Sequence, residues 1–435
     1  MPIFLGCAQP CASIDLVATG MPICLRMGEE SGKFHAPEPH PSWWPWLATA
    51  LFLLWQVDFQ FVYGFVAEEI QQELALSAGQ ATAIAAIFLV SYGAMQVPAG
   101  MLLDRFGLRA VLPAATILGV ASVAAFASAN TFLELAATRL LAGTAVAFAF
   151  PAAGKIARVT LRPGAFALAM ALADMCFGLG AVLASITSEA LAELSWRANL
   201  HWLALAGGVI TTHLIFVLFR TPLRDATETP ASRRPGLRTL LGVPEVRAAC
   251  LLYAWGAGMA FGFGGYWNLQ LQAECGCTAP QVSHLSTALF AGLAAGMAVA
   301  GALASSAARW RLLLRAGTTA TIALLATILV VSPHANEAVM IPLLAIFGIG
   351  LGPSALAFPW ATSRLPADHA ATVVGLVNAT GCLAGALAEA LPIWIDGGHP
   401  LHFAVPSVYL GLAALGLVVA WRLPPQPIAP PSAEA

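Results

Sequence analysis

Twelve runs of predominantly apolar residues, none alternating like a strand, constrain this chain more than anything else in it. "LPAATILGVASVAAFA" is one example. About 20 apolar residues in a helix cross the hydrocarbon core of a bilayer. Inside lipid the backbone must satisfy its own hydrogen bonds, which favours helices. A membrane β-barrel would instead show segments of about ten residues alternating in polarity. The spacing predicts spans over 44–66, 81–103, 110–128, 133–153, 165–187, 199–219, 249–271, 281–304, 312–332, 338–360, 370–392 and 403–421. Only 10% of the 435 residues are charged, against about 25% in a soluble protein. So few charges cannot cover a water-facing surface. The lipid bilayer is the expected partner, and a net charge of −2 gives no reason to expect nucleic acid.

Basic residues orient such a chain, because loops rich in Lys and Arg stay in the cytoplasm. Of the twenty Lys and Arg residues, all but two fall before the first span, in alternate loops, or after the last span. The exceptions are Arg197, in a loop on the other side, and Arg139, inside the fourth span. Both termini are therefore expected in the cytoplasm of a cell (inner or plasma) membrane protein. The organisation that follows is an N-terminal cytoplasmic extension over 1–42, expected to be disordered, and a six-helix bundle over 43–219. A cytoplasmic linker over 220–247, a second six-helix bundle over 248–422 and a cytoplasmic tail over 423–435 complete it. The extension lacks the basic start and clean apolar core of a signal peptide, and translation from Met1 or from Met27 fits it equally.

The two halves resemble each other. A shift of 201 residues sets Glu73 on Glu274, Ser77 on Thr278, Gln80 on Gln281 and Gly100 on Gly301. In the fourth spans "AFAFP" (147–151) matches "ALAFP" (355–359), a shift of 208. In the fifth, "ALADMCFGLGAVLA" (171–184) matches "GLVNATGCLAGALA" (375–388), a shift of 204. Parallel six-helix halves with a substrate site near the midplane between them are one plan of secondary transporters.

The segment "GMLLDRFGLR" (100–109) resembles the loop between helices two and three of the major facilitator superfamily, G-x-L-x-D-R-x-G-R-[KR]. Gly100, Leu102, Asp104, Arg105, Gly107 and Arg109 match; Leu108 stands where a basic residue is usual. The resemblance implies a cytoplasmic latch between the halves, made of Gly100, Asp104, Arg105, Gly107 and Arg109. The second copy, "GALASSAARWR" (301–311), keeps the glycine but has Ser305 in place of the aspartate. "LAATRLLAG" (135–143) is similar to the family's helix-four motif R-x-x-x-G through Arg139 and Gly143, with Ala142 where a polar amide is frequent. The stretch 76–107 looks like the branch containing organic-anion and sugar-phosphate permeases. That branch often carries an arginine halfway along helix one, where "LLWQVDFQFVYG" (53–64) has Asp58 instead. A glycine-proline motif on helix five, typical of drug/proton antiporters, is absent from 173–185.

Ionisable groups at bilayer depth are costly and mark functional positions. Asp58 and Arg139 fall at similar depth and are expected to pair; with Asp174, near the middle of the fifth span, they are the coupling candidates. Asn378 occupies the place of Asp174 in the second half. Gln60, Tyr63, Tyr92, Gln96, Trp267, Asn268, Asn378 and Glu389 are candidates for lining a substrate cavity. His213 and His284 are further titratable groups in spans. Cys275 and Cys277 lie on the side opposite the basic loops, as a disulfide or as two free thiols, and no metal-ligand spacing occurs. No G-x-x-x-x-G-K-[ST] sequence is present, so direct use of ATP is not expected, and no cofactor is. The expected activity is secondary transport of a small organic solute by alternating access, as proton-coupled uptake by a monomer. Efflux by antiport and a transport-inactive sensor or scaffold are the alternatives. A membrane enzyme would need a clustered nucleophile, base or metal set, and none is apparent.

Overall fold

A computed structural model of the chain describes residues 42–190, 193–223, 236–304, 306–363, 365–395 and 403–423. The expectations for residues 1–41, the middle of the linker (224–235), Ser305 and the tail beyond 423 lie outside the described residues. Among the described residues twelve helices are long and apolar enough to cross a membrane. They are α1 (Trp44–Glu73), α2 (Gly79–Phe106), α3 (Leu108–Ala127), α4 (Phe132–Thr160), α5 (Pro163–Ser188) and α6 (Trp196–Arg220). The second set is α7 (Pro244–Glu274), α8 (Pro280–Leu303), α9 (Ala308–His334), α10 (Glu337–Thr362), α11 (Ala367–Ile395) and α12 (Ala404–Arg422). Each coincides with one predicted span, and the chain is an all-α, multi-pass membrane protein. A short helix, Leu237–Gly242, precedes α7.

Local chemistry sets the helix ends. Ser77 and Gln80 form a reciprocal capping box at the start of α2, and Thr278 and Gln281 repeat it at the start of α8. Each pair satisfies orphan N–H groups of a first turn. The matched Ser/Thr and Gln positions of the two halves are therefore helix starts. Between α2 and α3, Gly107 has φ 83°, a left-handed value that glycine adopts without a Cβ clash.

The internal repeat is visible in the packing. Gly143 on α4 lies against the backbone of Phe88 and Tyr92 on α2; Gly348 on α10 lies against Leu289 and Leu293 on α8. Trp55 on α1 packs on Gly207 of α6, and Trp255 on α7 packs on Gly416 of α12. Small residues let helix backbones approach closely in lipid, where apolar burial alone drives little association. The register shifts between halves have local causes. Trp55 meets Trp255 at a shift of 200, yet Glu73 meets Glu274 at 201. Between these points α7 runs through a π-helical stretch, Gly258–Trp267, whose wider i→i+5 turn absorbs an added residue. In the fourth spans the shift grows from 205, at Gly143 and Gly348, to 208 at the "AFP" stretches. There α10 contains a 3-10 segment, Gly352–Leu356, where α4 has only a two-residue break after Val146.

Candidate functional site

Lys155, Arg158, Arg105 and Arg309 lie at one end of the helices, the basic face. There Asp104, at the end of α2, is 3% exposed. Its Oδ2 accepts hydrogen bonds from the backbone N–H (2.7 Å) and hydroxyl (2.6 Å) of Thr372. Thr372 lies in the first turn of the α-helix that begins at Ala370, where N–H groups lack helical partners and the dipole favours an anion. Its Oδ1 pairs with Lys155 of α4 at 3.1 Å, and Lys155 also donates to Leu103 O at 2.8 Å. Arg158 reaches across to Leu365 O at 3.0 Å. Gly100 packs on the backbone of Ala371 and Thr372, and Gly154 on Val374. Arg109 donates to Leu218 O and Thr221 O at the end of α6, and exposed Arg105 lies over the Phe106 ring. Arg109 thus ties the loop to the end of α6, while Asp104 bridges the two halves.

The second half repeats the backbone contact without its charges. Gly301 packs on Ala167, Leu168 and Ala171 of α5, the counterparts of Ala371, Thr372 and Gly375. Leu168 stands where Thr372 stands, and Ser363 where Lys155 stands. The Asp104, Lys155 and Thr372 cluster of the first seam thus has no charged counterpart in sequence at the second.

Near mid-membrane a polar cluster draws on both halves. Tyr253 of α7 donates its hydroxyl to Asp174 Oδ1 of α5 at 2.8 Å, and the buried Oδ2 of Asp174 has no hydrogen-bond partner. Tyr92 of α2 lies within hydrogen-bonding reach of Gln96 on its own helix and of Asn378 on α11. Cys176 and Cys382 lie within electrostatic range of Asp174. Gly381 leaves room for the Tyr253 ring against α11. Asp174, Tyr92, Gln96 and Asn378 are thus brought together.

Arg139 is elsewhere. Its side chain is fully buried on α4, and its guanidinium lies over the rings of Phe59 (4.6 Å), Tyr63 (4.4 Å), Phe88 (5.3 Å) and Phe126 (4.8 Å). Such ring faces attract a cation. Its Nε and Nη2 make no hydrogen bond. The expected pairing with Asp58 does not form. Phe59 and Tyr63 occupy one face of α1, and Asp58 points about 100° around the helix from Phe59. Asp58 is 3% exposed and accepts from Thr187 Oγ1 of α5 at 3.2 Å. By the Gly143/Gly348 register, the counterpart of Arg139 is the buried Leu344. Packing of these helices therefore does not require an arginine.

The remaining candidates do not join the central cluster. Trp267 donates to Glu389 O at 2.9 Å, and Asn268 accepts from Gln272, which also donates to Ser332 at 3.2 Å, inside the second half. Glu389 is exposed, and Gln60 is half-buried on α1. His213 is exposed on α6, and His284 pairs with Glu337 at 2.9 Å across α8 and α10. Arg197 pairs with Glu73 at 3.0 Å and donates to Ala127 O and Ala129 O, tying the ends of α1, α3 and α6. Cys275 and Cys277 are free thiols. Burial, with Cys277 and Glu274 nearby, pushes the Cys275 thiol above the ordinary range. Among the described residues no cluster of three or more metal-ligating side chains occurs.

Reasoning from sequence missed Lys155, Tyr253 and Thr372. Lys155 could have been found as the one lysine outside the N-terminal segment. Tyr253 and Thr372 carry no charge and no sequence pattern.

Comparison with known proteins places this geometry. The chain is similar to the proton:xylose symporter XylE bound to 6-bromo-6-deoxy-D-glucose, at 14% identity and TM-score 0.69, over 87% of this chain and 94% of the other. It is also similar to a variant of the E. coli fucose:proton symporter FucP, at 16% identity and TM-score 0.63, over 86% and 97%. A bacterial homologue of the iron transporter ferroportin, in an outward-facing state, matches at 14% identity and TM-score 0.70, over 87% and 98%. At these identities the likeness speaks for the fold. No curated protein sequence matches the chain. The family model described as Major Facilitator Superfamily matches residues 47–389, most of the chain, and the protein belongs to that superfamily of membrane transporters.

Proposed function

We propose that the protein is a secondary active transporter that takes up a small organic solute with protons by alternating access. In this reading the basic face is cytoplasmic, as are both termini. The halves 43–219 and 248–422, joined by the linker 220–247, rock as a monomer about the central cluster. One observation carries the reading. The hydrogen bond between Tyr253 and Asp174 joins the halves at mid-membrane, while those from Thr372 to Asp104 and from Arg158 to Leu365 O gather at the basic face. Among the described residues none joins them at the opposite face. That is the arrangement of a site closed on one side, as one state of an alternating cycle requires. Asp58 and Asp174 are buried carboxylates without a paired cation among the described residues, suited to carrying a proton. Arg139, a buried cation that the packing of its helices does not require, is the third coupling residue in this reading.

A panel of labelled metabolites offered to proteoliposomes, with and without an inward proton gradient, tests the reading. At least one solute should accumulate above equilibrium with the gradient and lose that accumulation on addition of a protonophore. Absence of flux for every solute class, or accumulation indifferent to the gradient, contradicts it.

A further inference from the structure

We propose that the central cluster binds a monovalent organic cation, an ammonium group on an apolar or aromatic body, with Asp174 as its counter-ion. The inference rests on the transport reading above and names its substrate class.

The charge at the site is one-sided. Asp174 Oδ1 is engaged by Tyr253, and Oδ2 is buried and unpartnered. The titratable groups around the carboxyl are Cys176 on its own helix, Tyr92 on α2, Tyr253 on α7 and Cys382 on α11. All of these are neutral or negative in every protonation state. Among the described residues no lysine, arginine or histidine pairs with Asp174. The buried cations Lys155 and Arg139 are committed elsewhere, Lys155 to Asp104 and Arg139 to its rings. An anionic solute would be desolvated beside a carboxylate with nothing to neutralise either charge. A cationic solute supplies the missing partner for Oδ2.

The walls favour the same class. Phe177, one helical turn after Asp174, packs on Phe261 (4.5 Å), Phe61 (5.2 Å) and Phe290 (6.3 Å). Phe61 and Phe177 of the first half meet Phe261 of the second at the seam, and all three keep partial exposure. Ring faces attract the substituents of an ammonium ion. A neutral polyol would leave the Asp174 carboxylate without a counter-charge. With the ammonium on Asp174, the proton falls to Asp58.

The test uses the purified full-length protein in detergent and three sets of probes. These are ammonium ions of rising size (tetramethyl-, benzyltrimethyl- and benzyltriethylammonium), the anion benzoate, and glucose. Binding is read as a saturable rise in melting temperature and as protection of Cys382 from N-ethylmaleimide by peptide mass spectrometry. At least one ammonium should bind and protect, and benzoate and glucose should not. Asp174→Asn should weaken the ammonium about tenfold or more, the scale of losing a charged partner, and Asp174→Glu should restore part of it. Failure of all three ammonium ions, binding of benzoate or glucose in their place, or undiminished ammonium binding to Asp174→Asn overturns the proposal. If Asp174→Asn is not monodisperse, Cys382 protection in the parental protein decides. Flux separates the two readings. A neutral or anionic solute accumulating with protons, with no ammonium bound, overturns the substrate class and leaves transport standing. An ammonium bound at Asp174 with no flux of any solute does the reverse.

Discussion

Thr372 gives its backbone N–H and its hydroxyl to a single oxygen of Asp104, 268 residues away and across the seam between the halves. The other oxygen holds Lys155 of Asp104's own half. This carboxylate therefore joins two bodies that must separate if the site is to open at the basic face.

Asp104→Asn should act on both stability and transport. It leaves Lys155 buried without its counter-ion, a situation that costs about 3–5 kcal/mol. Melting of the detergent-solubilised variant should fall clearly, and uptake should slow. The double variant Asp104→Leu with Lys155→Met should recover stability, because no buried charge is left over, yet remain slow. If the single variant melts like the parent, the ion pair contributes little to the fold.

Arg139→Leu places in the first half the residue type found at the matching position of the second. The guanidinium has no carboxylate partner, so removing the charge should leave melting unchanged or raise it, while uptake is lost. Because Asp58 and Arg139 are not in contact, the stability effects of Asp58→Asn and Arg139→Leu should add within about 0.5 kcal/mol. A strongly non-additive double variant would mean the two charges meet in some state of the cycle.

Gly100→Ala and Gly143→Ala separate closure from folding. A methyl at Gly143 meets the backbone of Phe88 on a helix of the same half, so it should lower stability, by about 1–3 kcal/mol as overpacking does. A methyl at Gly100 meets the backbone of Ala371 across the seam, so it should disfavour closure while the halves stay folded. Melting curves and protease sensitivity of the basic-face loops report the two effects. Equal unfolding by both would place Gly100 in the static core.

Cys275 offers a handle on orientation. A membrane-impermeant maleimide added outside intact cells should label Cys275 and Cys277. Since burial raises the Cys275 thiol, its labelling at neutral pH should be slow and should quicken as pH rises and thiolate forms. Labelling confined to inverted vesicles would reverse the proposed topology.

The fold was legible because bilayer thickness imposes a length on every span, and all twelve appear where apolar length placed them. The latch loop was legible as a motif, since charges between two spans stand out. Its partners were not, because Thr372 and Lys155 are joined to Asp104 by tertiary packing, over separations no local pattern encodes. The pairing of Asp58 with Arg139 was inferred from depth alone. Depth ignores angle around the helix, and one residue's rotation sends Asp58 to Thr187 and Phe59 to the guanidinium. Asp174 and Asn378 were legible through the repeat; Tyr253 was not, because a tyrosine in an apolar run looks like any other aromatic residue.

Distances between spin labels in proteoliposomes test alternating access most directly. One labelled pair, at Arg162 and Ala308, reports separation of the halves at the basic face; a second, at Leu133 and His334, reports the opposite face. Measured by double electron–electron resonance, the two distances should change in opposite senses, the first pair lengthening as the second shortens. Asp104→Asn should move the population toward the long basic-face distance. Two pairs that hold fixed distances, or that lengthen together in the variant, would contradict alternating access.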